Sequence, residues 1–225
     1  MINKDFLKEH YNNIFIKNKE KICQGGVKDD LLSNVQNDER MSIVLLIRIS
    51  PNISANIEKC INKLKEIESD SMYFYPSSDF HITVIDILKG EIGRKIPDNI
   101  NEYIKCFNEC AKKIKPFEIE FEGLTASDNA VLVKGFYDNE FQKFRELLRE
   151  SLNKNNLKLE ERYKTISSHI TIARIKNKLN NSEKLIEFVE KNKNNYFGKM
   201  KVESLELCFH NWYDTQKQVL LNIKL

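Results

Sequence analysis

No stretch of this chain approaches the roughly 20 consecutive apolar residues that a membrane-spanning helix needs. The longest candidate, Ile43 to Ile47, is closed off by Ser42 and Arg48 and reads as a buried strand. The opening residues Met1-Ile2-Asn3-Lys4-Asp5 lack the apolar centre of a secretory signal. Cysteine offers no framework either. Cys23, Cys60, Cys106, Cys110 and Cys208 are odd in number and contain no Cys-x-x-Cys pair. Cys106 and Cys110 fall on one face of an expected helix, but with no further ligands around them. These absences predict plain thiols in a reducing cytoplasm, no membrane association and no resident metal. An excess of charge of one sign is missing too. The 36 basic and 33 acidic side chains leave a net charge of +3. That balance permits a phosphorylated ligand and argues against a dedicated DNA binder.

What is present suffices for a core. Of the 225 residues, 41% are apolar and 10% aromatic, enough for one substantial domain or two small lobes sharing a cleft. Residues 1–40 read as an N-terminal helical extension packed on a main domain of residues 41–225. Phe6, Leu7, Tyr11, Ile14, Phe15 and Ile22 recur at helical spacing, which predicts a helix from Lys4 to about Ile22, ended by Gly25-Gly26. The polar run Lys28 to Arg40 has only Leu31, Leu32 and Val35 as anchors.

From Met41 onward strands and helices mix. Strands are expected at Ile43–Ile49, Met72–Tyr75, Phe80–Leu88, Phe117–Glu122, Ala130–Phe136, His169–Ile175, Val202–Phe209 and Gln218–Leu225. Helices are expected from Pro51, over Asn99–Ile114, through Phe141–Leu152 and over Ser182–Asn192, with Gly123–Asn129 as a turn. This order favours an α+β fold with antiparallel sheets over a doubly wound parallel one. Ala130 to Thr171 echoes the strand, helix, strand order of the first half, which predicts two lobes related by an approximate twofold.

The chain has only four histidines, His10, His81, His169 and His210, and two of them share a context. One is Asp79-Phe80-His81-Ile82-Thr83-Val84-Ile85; the other is Ser168-His169-Ile170-Thr171-Ile172-Ala173-Arg174. One His-x-Thr alone reads as a satisfied strand histidine, whereas a matched pair is improbable as coincidence. On a strand, His81 and Thr83 project to one face while Ile82 and Val84 project into the core, and the same holds for His169 and Thr171. Two such strands across a groove aim two imidazoles and two hydroxyls at a common point. That set suits phosphodiester cleavage without a metal. A neutral histidine accepts a proton, a protonated one donates, and both states coexist near an unperturbed pKa of about 6.5. The threonines donate to phosphate oxygens.

These paired triplets resemble the H-x-[ST] motifs of the 2H phosphoesterase superfamily. His169 to Arg174 is similar to the second motif of its bacterial 2′-5′ RNA ligase-like branch. Tyr73-Phe74-Tyr75-Pro76, Gly123-Leu124-Thr125-Ala126-Ser127 and Asn211-Trp212-Tyr213 resemble flanking blocks of that group, so the likeness runs from about Asp38 to Leu225. The resemblance implies a bilobal fold with two antiparallel sheets and outer helices around a central cleft. It also implies metal-free action on 2′,3′-cyclic phosphates or 2′-5′ linkages of RNA ends or small nucleotides. Within it, His81 and His169 inherit the acid–base roles and Thr83 and Thr171 phosphate binding. Two features depart from the pattern: the extra 40 N-terminal residues, placed to cover or reshape the cleft, and Ser168 where proline is frequent.

Other residues are weaker candidates for substrate contact. Arg162, Tyr163 and Lys164 precede the second triplet, and Arg offers phosphate a bidentate fork. Tyr73 and Tyr75 share a face and suit base stacking or sheet packing equally. Simple alternation puts Arg174 opposite Thr171, as a salt-bridged structural residue unless a bulge intervenes. Thr125 and Ser127 read as turn chemistry. His210, beside Trp212 and Tyr213, reads as packing. The expected partner is a nucleotide or RNA terminus, with no cofactor and no obligate protein partner. The alternative is a nucleotide- or RNA-end-binding protein of the same fold with weak turnover or none.

Overall fold

The computed structural model describes residues 2–225, apart from the side chains of residues 33 and 34. Local signals set the first helix, α1 (Lys4–Cys23). The Asn3 side chain caps it by accepting from the Phe6 N–H at 2.9 Å. Gly25 and Gly26, at φ of +110° and +75°, end it, and the Gly26 N–H returns to the Lys21 carbonyl.

The rest of the chain follows as β1 (Arg40–Arg48), α2 (Pro51–Lys65), β2 (Met72–Phe74), β3 (His81–Ile92) and α3 (Ile100–Ala111). Then come β4 (Phe117–Ala126), β5 (Ala130–Tyr137), α4 (Asn139–Lys154), β6 (Ile170–Ile175), α5 (Ser182–Lys191), β7 (Tyr196–Val202), β8 (Ser204–Asn211) and β9 (Lys217–Lys224). No helix among the described residues is long and apolar enough to cross a membrane.

Two antiparallel sheets result, with strand orders β3-β1-β8-β9 and β2-β6-β5-β4-β7. The expected duplication is visible in them. Each histidine triplet opens or immediately precedes a strand (β3 or β6) that pairs with an earlier strand (β1 or β5), followed by two more. The lobes are nonetheless interleaved: β8 and β9 join the sheet begun by β1, and α2 packs on β7 and β6 of the other sheet. One apolar cluster accordingly runs through both sheets, from Leu7 to Ile223. β1 is buried on both faces, since Val44 and Leu46 pack with Cys208 apart from that cluster. This accounts for the unbroken apolar run Ile43 to Ile47.

The structure departs from the sequence expectation at two places. The segment predicted as a turn from Gly123 to Asn129 is strand through Ala126, and the Ser127 N–H closes the turn on the Ala130 carbonyl. Gly123 sits at φ +81°, where the pairing of β4 shifts register, and an added Cβ would lie 1.9 Å from the Lys193 carbonyl oxygen. It makes a bulge rather than a turn. The strand expected over Val202–Phe209 is β8, beginning at Ser204, and a further strand, β7, precedes it where none was expected. β7 is an edge strand whose exposed Tyr196, Lys199 and Lys201 hide the alternation.

Gly135 permits a close approach that matters to the site. A Cβ there would meet the Ser168 carbonyl oxygen at 2.1 Å, one residue before His169. Gly135→Ala is expected to destabilise the fold by about 1–3 kcal/mol, as overpacking does. Denaturant unfolding checks this; an unchanged midpoint would show that the two strands separate without cost.

Candidate active site

β3 and β6 bring the two triplets to one cavity of about 370 Å³, whose lining includes His81, Thr83, His169 and Thr171. Ile82 and Ile170 are fully buried behind them. Both strands carry a bulge at the same place. Opposite β1, the register skips Val84 between Thr83 and Ile85; opposite β5, it skips Ile172 between Thr171 and Ala173. Two apolar residues in succession therefore point inward, and the next side chain returns to the cleft. That side chain is Asp86 on β3 and Arg174 on β6, and both line the cavity. The opposite-face placement expected for Arg174 is thus corrected by the bulge. Its Nε donates to the Tyr75 hydroxyl at 3.0 Å, and its guanidinium lies 5.7 Å from the centre of the Trp212 ring.

Hydrogen bonds order the two imidazoles. His81 Nδ1 lies 2.8 Å from the Asp79 carbonyl oxygen. A carbonyl only accepts, so Nδ1 carries the proton and Nε2 of the neutral ring is an acceptor. His169 Nδ1 lies 3.0 Å from Ser167 Oγ. A serine hydroxyl can donate or accept there, so either tautomer of His169 is satisfied, and the one in which the serine donates presents Nε2–H to the cleft. Burial pushes His81 down to about 4, with His210 and Arg48 adding to the shift and Asp214 opposing it. Burial likewise pushes His169 to about 4, reinforced by Arg174, His81, His10 and Arg145. Burial thus favours the neutral form of both rings at pH 7, where unperturbed values would leave each partly protonated.

The other candidates separate. Tyr75, Arg162 and Tyr163 line the cavity, with Tyr163 67% exposed at its rim. Tyr73 does not line it; its ring packs edge-on against Tyr75 and Tyr213. Lys164 pairs with Glu146 outside it. Thr125 is buried, donating to the Tyr11 carbonyl, and Ser127 bonds Asn129 within its turn. α1 lies against β4, β5 and α5, and among the described residues none before Ser42 lines the cavity.

The family model described as the AKAP7 2'5' RNA ligase-like domain matches residues 43–219. That span takes in both triplets and most of the chain. The protein belongs to this family, within the 2H phosphoesterase superfamily. No curated protein sequence matches it. Solved structures share the fold at low identity. TT0787 of Thermus thermophilus is 16% identical with a TM-score of 0.65, over 82% of this chain and 97% of that one. E. coli LigT, solved in complex with 3'-AMP, is 12% identical with a TM-score of 0.57, over 82% and 98%. The MHV ns2 PDE domain is 12% identical with a TM-score of 0.52, over 75% and 97%.

This 2H phosphoesterase family member also holds functional groups that periodicity did not reveal. His210, read as packing from its sequence, lines the cavity with its ring centre 5.9 Å from that of His81. Its Nδ1 bonds Asp214 at 2.8 Å, and Asp214 also receives Arg48 and Lys217. Burial alone would raise the Asp214 pKa, but the bonds from His210 and Arg48 outweigh it and hold the carboxyl well below the usual carboxylate range. Asp86 was missed as well. Its sequence signal is the doubled apolar pair after each threonine, Val84-Ile85 and Ile172-Ala173. Ser168 has a physical reason: its N–H donates to the Tyr11 hydroxyl at 3.0 Å, and proline has no N–H to donate. Asp79, Asp86 and Glu160 against Lys89, Arg162 and Arg174 leave the formal charge of the lining balanced, apart from the histidines.

Proposed function

We propose that this protein is a metal-independent phosphoesterase acting on the 2′,3′-cyclic phosphate or 2′-5′ phosphodiester of RNA ends or small nucleotides. The observation that carries this reading is the convergence of both His-Ile-Thr triplets on one cavity large enough for a nucleotide. His81 Nε2, the acceptor, takes a proton from water as the water oxygen attacks phosphorus. His169 Nε2–H gives its proton to the departing ribose oxygen. Thr83 and Thr171 donate to the non-bridging oxygens. Negative charge on the bound phosphate raises the pKa of both imidazoles, so substrate itself brings the acid toward its protonated form. The complex of LigT with 3'-AMP agrees with a nucleotide ligand for this fold.

Binding without turnover is the second reading. The feature favouring it is the burial of both imidazoles, which disfavours their charged form. A screen of purified protein against 2′,3′-cyclic nucleotides, 2′-5′ oligonucleotides and cyclic dinucleotides, with and without EDTA, separates the two. Turnover that persists in EDTA supports the proposal. Loss in EDTA restored by zinc or manganese moves the protein to metal catalysis, and saturable binding with no product establishes the second reading.

Thr83→Val and Thr171→Val keep the strand and remove one donor to the phosphate. Each is expected to cost about 1.5–3 kcal/mol of transition-state stabilisation, roughly ten- to a hundredfold in kcat/KM. Steady-state kinetics on the substrate found by the screen gives this directly. Wild-type rates for both variants would remove the threonines from the mechanism.

A further inference from the structure

Arg145 on α4 is fully buried, and the mechanism above makes no direct use of it. Its guanidinium bridges the first triplet and the segment that leads into the second. Nε donates to the Val84 carbonyl at 2.8 Å and Nη2 to the Thr83 carbonyl at 2.9 Å, while Nη2 also reaches the Ser167 carbonyl at 2.7 Å. Nη1 faces the Tyr137 hydroxyl at 3.4 Å, and the plane lies 4.1 Å from the centre of the Phe141 ring. Among the described residues no carboxylate pairs with it. Burial draws its pKa down to about 10, which leaves it charged at neutral pH. A buried cation compensated by carbonyl dipoles, one hydroxyl and aromatic faces rather than by a countercharge is costly, and a neutral side chain filling the same space would avoid that cost.

We propose that Arg145 is a positioning residue that ties the two His-Ile-Thr segments together at the separation one phosphate requires, and that its charge helps draw an anion into the cleft. Thr83 belongs to the first triplet, and the Ser167 hydroxyl bonds the ring of His169. One rigid planar fork thus fixes the backbone on both sides of the cavity, which a flexible single ammonium cannot do. The charged and titratable groups facing His169 come from four elements: Arg174 on its own strand, His81 on β3, His10 on α1 and Arg145 on α4. Of the two arginines among them, Arg145 alone is wholly enclosed and carries its charge from behind the site.

The test uses Arg145→Lys, which keeps charge and loses the span, and Arg145→Gln, which loses both. Three readouts are taken on folded protein: NMR titration of the His81 and His169 rings, affinity for inorganic phosphate, and the split between kcat and KM. In the Lys variant the ring signals of both histidines should shift while the His169 midpoint stays, and kcat should fall on the order of 10- to 100-fold with KM little changed. In the Gln variant the His169 midpoint should rise by about half a unit or more, and phosphate should bind more weakly. Unchanged ring signals in the folded Lys variant, or an unchanged His169 midpoint with unchanged phosphate affinity in the folded Gln variant, would overturn the proposal. If Gln fails to fold, the Lys variant decides by the ring signals. The catalytic part rests on the phosphoesterase reading. Should the wild type turn over no phosphoester, that reading fails, while the two measurements without substrate still judge Arg145.

Discussion

Replacing His81 or His169 with alanine is expected to lower kcat/KM by about 10²- to 10⁴-fold, the range typical of losing a positioned proton-transfer group. The double variant should cost far less than the product of the singles, because an acid and a base acting on one phosphate fail as a unit. The pH dependence carries a sign. In the free protein both rings lie near 4, pushed down by burial. His81 is then a competent base above that value, and the protonated fraction of His169 falls as pH rises. The kcat/KM profile should therefore decline from pH 5 to pH 9. The descending limb of kcat should lie at higher pH, since bound phosphate raises the pKa of the acid in the complex. A double variant with near wild-type turnover, or rates independent of pH from 5 to 9, would defeat the assignment.

Asp214→Ala is expected to be the most damaging change to stability away from the triplets, at about 3–5 kcal/mol. The carboxylate is fully enclosed and takes hydrogen bonds from His210, Arg48 and Lys217. Its loss strands Lys217 beside Asp79 and leaves Arg48 with Glu206 alone for an acidic partner. For a chain of this size the fall in Tm should be on the order of ten degrees. The linkage follows from the depressed pKa in the folded state. Stability from Asp214 is fully present above the unfolded carboxylate value of about 3.9 and is lost as pH falls through the lower folded value. The wild type should thus lose stability below about pH 4 more steeply than Asp214→Ala. Parallel acid-unfolding slopes would mean that the carboxylate carries no net stabilisation.

Most element positions were legible because local rules and tertiary packing agree. The Asn3 cap and glycine stop of α1, the strictly alternating start of β4 and the Pro51 start of α2 are cases where one residue pattern admits one structure. β7 was not legible, because an exposed edge strand buries too little on either face to show alternation. Arg174 was misplaced because a single extra residue in a strand reverses every facing after it. The bulge itself forms where β6 meets β5, a pairing partner far away in sequence.

By itself the sequence determined the α+β class, the paired His-Ile-Thr strands and the chemistry they suit, since alternation along a strand is a local property. Only the tertiary structure decided which charges share the cleft. Asp86 and Arg174 return to it through bulges, His210 arrives from β8 with Asp214 behind it, and Arg145 reaches from α4 to Thr83 and to Ser167, two residues before His169. Tyr11, from the N-terminal extension, holds the backbone before His169 from behind. Each of these placements joins residues remote in the chain, and no local propensity encodes a distance between two segments that meet only when the sheets assemble.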